Sequence, residues 1–126
     1  IKWGIGIVSE KTIDKINILE AAKLAMAKAI RNLKTDYLII DGNFKIKSPI
    51  PQKSIIKGDE KVFSVAASSI LAKVTRDRIM LKYHKKFPKY RFDLHKGYGT
   101  KLHFKMLKRF GRCAIHRNSF NYQASV

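Results

Sequence analysis

Tyr37-Leu38-Ile39-Ile40 is an apolar run too short for a helix, and it closes on Asp41-Gly42, a turn signal that ends a strand in a carboxylate. The pattern returns at Ile55-Ile56, which closes on Lys57-Gly58-Asp59, so two aspartates stand 18 residues apart, each near the end of a buried-strand pattern. A carboxylate so placed leaves the sheet at its edge instead of entering the core. Two of them can converge on a hard divalent cation, which takes oxygen ligands and commonly sits against substrate phosphates.

The intervening segments alternate with these strands. Ser9 and Thr12 cap a short helix through about Ile16, and Asn17 caps a longer one from Ile18 to about Leu33. In the longer helix Leu19, Ala22, Met26 and Ile30 form an apolar stripe, with Glu20, Lys23, Lys28 and Arg31 toward water. A linker with prolines spans residues 48–52. A second long helix runs from about Phe63 or Ser64 to Lys86 and stops before Pro88, whose ring disfavours helical geometry in the residue ahead of it. Residues 90–99 read as a loop dense in basic and aromatic groups; Thr100 then caps a helix to about Phe110, and Gly111 ends it. The opening, Ile1-Lys2-Trp3-Gly4-Ile5-Gly6-Ile7-Val8, alternates like a strand with neighbours on both sides, so the chain reads as an inner portion of a longer protein. The order of elements predicts an α/β fold with a helical C-terminal extension.

Charge points to a polyanionic partner. The chain carries 27 Lys and Arg against 9 Asp and Glu, a net +18, unevenly spread: residues 1–60 hold 11 basic and 7 acidic groups, residues 61–126 hold 16 and 2. A field of that sign attracts nucleic acid and makes binding salt-sensitive. No apolar stretch is long enough to span a membrane. The single cysteine, Cys113, excludes an internal disulfide, which favours a reducing, cytoplasmic setting, and His84, His95, His103 and His116 do not make a usual zinc spacing.

Five segments then carry a resemblance: Ile40-Asp41-Gly42-Asn43; Lys57-Gly58-Asp59; the run from Ser64 to Asp77, SVAASSILAKVTRD; His95-Lys96-Gly97-Tyr98-Gly99-Thr100; and Ile115-His116-Arg117-Asn118-Ser119-Phe120. In order and spacing they resemble bacterial ribonuclease HII, over essentially the whole chain. The resemblance implies a ribonuclease H-like mixed sheet flanked by helices, with residues 1–90 a partial α/β domain and 91–126 its basic, substrate-binding extension. It implies an endonuclease, acting as a monomer, that cuts the RNA strand of RNA/DNA hybrids and at ribonucleotides embedded in DNA. It also implies Mg²⁺ or Mn²⁺ as cofactor, held by four carboxylates of which Asp41 and Asp59 are two. The other two, an adjacent Asp-Glu pair on an earlier strand, have no counterpart in these 126 residues. The chain alone is therefore expected to bind hybrids and cut them poorly.

Tyr98 is the aromatic residue that the resemblance sets against the sugar at the RNA–DNA junction. Lys57, Lys73, Lys96 and Arg117 are candidate phosphate ligands, with His95 and His116 as helpers. Each has a plainer reading beside it. Asp41 suits an Asx turn before Gly42, Asp59 an N-cap, Asp77 an ion pair with an arginine, and the lysines a solvated surface. Ser64, Ser68 and Ser69 read as helix and packing residues. The rival function is a non-catalytic basic RNA- or hybrid-binding protein in which both aspartates only make turns.

Overall fold

The computed structural model describes residues 1–120. Its elements are α1 (Glu10–Ile30), β1 (Leu38–Asp41), β2 (Gln52–Ile55), α2 (Gly58–Lys61), α3 (Phe63–Lys86), a 3₁₀ turn (Pro88–Tyr90), α4 (Phe92–His95) and α5 (Lys101–Phe110). This is a mixed α/β fold, as the alternating pattern predicts. The described residues form two compact units, one ending at Ala72 and the other beginning at Lys73, dividing within α3, whereas the sequence changes character near residue 90.

The first unit is built on β1 and β2, which pair in parallel with Leu38 opposite Gln52 and Asp41 opposite Ile55. Parallel strands need a crossover, ordinarily of a dozen or more residues. Here residues 42–51 make it without a helix, and the Gln52 side chain holds them: its Oε1 accepts from the Ile46 amide (2.8 Å) and its Nε2 donates to the Ile46 carbonyl (3.0 Å). Leu38, Ile40 and Ile46 are buried together, and Met26 and Ile30 of α1 pack on them with Phe44 and Ile50. Leu19, placed by the sequence on the same stripe, is exposed.

The cap chemistry of α1 is as read. Ser9 Oγ accepts from the Thr12 amide, Asn17 leaves helical geometry (φ 70°, ψ 169°), and Asn17 Oδ1 restarts the helix by accepting from the Glu20 amide at 3.0 Å. The expected strand over residues 1–8 does not form: among the described residues no strand pairs with it, because β1 pairs only with β2. The segment instead lies on α1, so close that a Cβ built at Gly6 would fall 1.7 Å from the Ala25 carbonyl oxygen and one at Gly4 2.2 Å from that of Ala29.

The second unit gathers Tyr90, Phe92 and Met106, with Met80, Tyr83, Phe87, Leu102, Phe110, Cys113 and Ile115 against them. Residues 90–99 are thus not the loop expected. Arg91 (φ 59°) and Lys96 (φ 48°) adopt left-handed backbone on either side of α4 and let a single helical turn bury Phe92 and His95. Thr100 caps α5 by accepting from the His103 amide, and Gly111 ends it at φ 73°. On α3 the apolar side chains Phe63, Ile70, Val74 and Leu81 are exposed.

Replacing Gly6 by alanine forces a methyl group into the Ala25 carbonyl. The expected cost is about 2 kcal/mol, within the range for overpacking, read as a lowered midpoint in denaturant with an unchanged m value.

Candidate functional site

Parallel pairing sends the C-terminal ends of β1 and β2 to the same edge, and this brings the two aspartate motifs into one neighbourhood. The Gly42 amide donates to the Ile55 carbonyl (3.0 Å), extending the ladder past Asp41. Lys57 then takes a left-handed conformation (φ 54°, ψ 45°), turning the chain so that the Gly58 amide donates to Asp41 Oδ1 at 2.8 Å. Gly58 is buried; a Cβ there would lie 3.4 Å from both Asp41 Cα and Val65 Cγ1. Asp59 follows at once, exposed, in the first turn of α2. It does not cap a helix as its position suggests, because Lys57 occupies the N-cap.

Carboxylate oxygens are the donors a hard cation takes, and Mg²⁺ often uses one or two of them while keeping several waters. Among the described residues no group of three His, Cys, Asp or Glu gathers to hold an ion. Asp41 and Asp59 therefore fit such a cation in kind but make a sparse ligand set. Lys57 stands beside them, exposed, its Nζ 4.0 Å from Glu60 Oε1, a solvated pair that leaves the ammonium accessible.

The other candidates lie in the second unit. Tyr98 is about half exposed, and the Arg76 guanidinium stacks on its ring at 4.6 Å while Nη1 donates to the Lys96 carbonyl at 2.7 Å. Arg76 was not singled out by the sequence. Only its place in Thr75-Arg76-Asp77 of the matched helix hinted at it, since a contact spanning 22 positions has no local signature. The Tyr98 amide donates to the His95 carbonyl (2.8 Å), and the Tyr98 carbonyl accepts from the Thr100 amide (2.8 Å) and from His103 Nδ1 (2.9 Å). Gly97, at φ 80°, is pressed against Arg76 and Met80.

Lys73 pairs with Asp77 (3.3 Å), so the partner of Asp77 is a lysine and not the expected arginine. The Lys96 ammonium donates to the Asp93 carbonyl. The Arg117 guanidinium lies 4.7 Å from the Phe120 ring centre. His95, expected to help bind phosphate, is buried with both ring nitrogens engaged: Nε2 meets the Tyr90 carbonyl at 2.6 Å and Nδ1 accepts from the Gly97 amide at 3.1 Å. A ring so enclosed has no nitrogen left to offer a phosphate. His116 is buried too, 3.0 Å from His103 through their Nε2 atoms.

Burial sets the protonation of this histidine group. It lowers the pKa of His95, of His103 and of His116, the last to about 4 with the nearby His103 adding to the effect. Burial also raises the Cys113 thiol. Cys113 and His116 are thus a neutral pair, unlike the thiolate–imidazolium pair that a cysteine nucleophile requires.

A sequence model of the family described as Ribonuclease HII matches residues 3–123. Ribonuclease HII of Chlamydia caviae is 55% identical over 120 residues, 94% of this chain and 56% of the relative. That of Chlorobaculum parvum is 50% identical over 121 residues, 94% of this chain and 59% of the relative, and that of Chlamydia muridarum 52% over 123, with 96% and 56% covered. The chain belongs to the ribonuclease HII family and spans somewhat under three fifths of the length of these relatives.

Two outcomes follow from this geometry. Asp41→Ala removes a charged acceptor from the Gly58 amide and is expected to cost about 2 kcal/mol of stability, whereas Asp41→Asn keeps an acceptor oxygen and costs much less; paired denaturant titrations measure the difference. The second concerns acid. A histidine held at about 4 in the folded protein, against an ordinary value near 6.5, leaves stability untouched above pH 6.5, because both states are then neutral. As pH falls from 6.5 toward 4 the unfolded chain takes up the proton first, and His116 alone removes about 3 kcal/mol. Amide exchange across residues 90–116 at pH 7 and pH 4.5 should show this loss as faster exchange at the lower pH, after correction for intrinsic rates.

Proposed function

We propose that this chain carries the substrate-gripping surface and part of the acidic centre of an endonuclease that cuts the RNA strand of RNA/DNA hybrids and cuts at ribonucleotides within DNA. The observation that carries the reading is the Asp41 carboxylate at the end of a parallel strand pair, fastened to the Gly58 amide with Asp59 next in the chain. A turn-only role explains neither the burial of Gly58 nor its use of a carboxylate from the other motif. The name borne by the relatives points to the same chemistry.

In this reading Asp41 and Asp59 hold Mg²⁺ or Mn²⁺, which when bound supplies positive charge to the scissile phosphate and an activated water. Asp41 is oriented for that task by Gly58. Lys57, Lys73, Lys96 and Arg117 supply phosphate contacts that position the duplex without reading its sequence. Tyr98 lays its ring against the sugar, where the 2′-hydroxyl distinguishes RNA from DNA. His95 drops out as a direct ligand and serves the backbone around Tyr98.

The sparse ligand set favours a second reading, a basic hybrid-binding module without catalysis. Manganese separates the two. The nuclease reading expects Mn²⁺ to broaden the amide resonances of Gly42, Gly58 and Asp59 selectively, with the effect abolished by Asp41→Asn while hybrid affinity stays within about twofold, as fits a side chain that contributes no phosphate contact. No selective broadening would leave the binding-module reading standing. In either case hybrid affinity should fall about a thousandfold between 50 and 200 mM salt if six or more phosphates are contacted. With two carboxylates the chain alone should cut hybrids poorly; efficient Mg²⁺-dependent cutting would overturn that expectation.

A further inference from the structure

One arrangement of protons satisfies the contacts that join the buried histidines of the second unit to one another and to the backbone of Cys113, Tyr98, Tyr90 and Gly97. The Cys113 amide, which can only donate, lies 2.9 Å from His116 Nδ1, so that nitrogen is an acceptor. A neutral His116 then carries its proton on Nε2, which faces His103 Nε2 at 3.0 Å. His103 Nε2 must accept, so the proton of His103 sits on Nδ1, where the Tyr98 carbonyl accepts it at 2.9 Å. His95 stacks on His103, ring centres 4.1 Å apart and nearly parallel, and its own tautomer is fixed by the Tyr90 carbonyl and the Gly97 amide. The direction of the relay is set at Cys113 and delivered at Tyr98.

We propose that His103 and His116 are positioning residues for ribonucleotide recognition: the relay from the Cys113 amide through both rings holds the Tyr98 carbonyl, and with it the half-exposed ring, in the pose that meets the sugar. The proposal rests on the reading of Tyr98 as the residue against that sugar. His116 contributes by denying His103 its other tautomer, in which Nε2–H would face Nε2–H and the Tyr98 carbonyl would lose its side-chain donor and keep only the Thr100 amide. Arg76 completes the hold from the side by stacking on the ring and bonding the Lys96 carbonyl. Neither histidine touches substrate in this scheme, so the effect belongs in selectivity and not in overall affinity.

The geometry is testable without a variant. Long-range ¹⁵N–¹H correlation on the ¹⁵N-histidine-labelled chain at neutral pH should show His103 protonated on Nδ1 and His116 on Nε2; the opposite tautomer at either ring overturns the proposal. For function, the chain's affinity for a duplex with one ribonucleotide is compared with that for the same all-DNA duplex. His103→Phe and His116→Phe should each lower that ratio about tenfold, the loss of one hydrogen bond, and leave all-DNA affinity unchanged. Placing His103→Asn in the His116→Phe background should restore most of it, because an amide N–H can donate to the Tyr98 carbonyl whatever its neighbour does; a residue that merely packs would show no such rescue. Loss of the ratio in Tyr98→Ala with none in His103→Phe overturns the relay alone. An unchanged ratio in Tyr98→Ala removes the reading of Tyr98 and the positioning role with it.

Discussion

The parallel alignment of β1 with β2 is the constraint on which the acidic site depends. Antiparallel strands of the same composition would put Asp41 and Gly58 at opposite ends of the sheet. Parallel strands bring both C-terminal ends to one edge, and the left-handed Lys57 then needs only one residue to aim the Gly58 amide at the carboxylate. Four-residue strands cannot secure such a register by ladder bonds alone. The bidentate grip of Gln52 on Ile46 and the packing of Met26 and Ile30 on Leu38 and Ile40 supply what the ladder lacks.

The second unit solves a different problem, that of shaping an exposed tyrosine on a short basic segment rich in side-chain entropy. It does so with aromatic mass and backbone bonds. Phe92 is almost wholly buried, Tyr90 stacks on it at 5.7 Å, and the Tyr90 hydroxyl donates to the Gly111 carbonyl at 3.0 Å. Above this floor both backbone groups of Tyr98 are engaged. Acidic side chains have little part in it: Asp93, the main one, is turned to Arg91, whose hydrogen bonds hold its carboxyl below the usual range.

Much of this was legible in the residues wherever the determining interaction is local. Ser9, Asn17 and Thr100 mark helix starts because a side-chain oxygen within three residues satisfies an orphan amide, and Pro88 marks a stop for an equally local steric reason. Position 41 showed itself through an apolar run ending in Asp-Gly. What escaped was set at a distance or by backbone choices that the residue type does not announce. Nothing in Leu38–Asp41 encodes a parallel partner. Arg91 and Lys96 adopt left-handed backbone without being glycine, so the turn of helix between them, and the burial of His95 that follows, read as loop. The strand pattern at residues 1–8 is sound as a pattern, but a strand exists only with a partner, and none pairs with it among the described residues.

Cys113 gives the unit an internal gauge. Its sulfur, partly exposed, rests 3.1 Å from His116 Nδ1, and burial raises its thiol, so a thiol reagent meets a weaker nucleophile while the sulfur stays against the ring than once the two part. With one cysteine in the whole chain, each molecule carries one such gauge. The rate at which a maleimide consumes it is sensitive to how firmly Cys113 is held against His116, a reporter of local breathing that the protein carries without any engineered label.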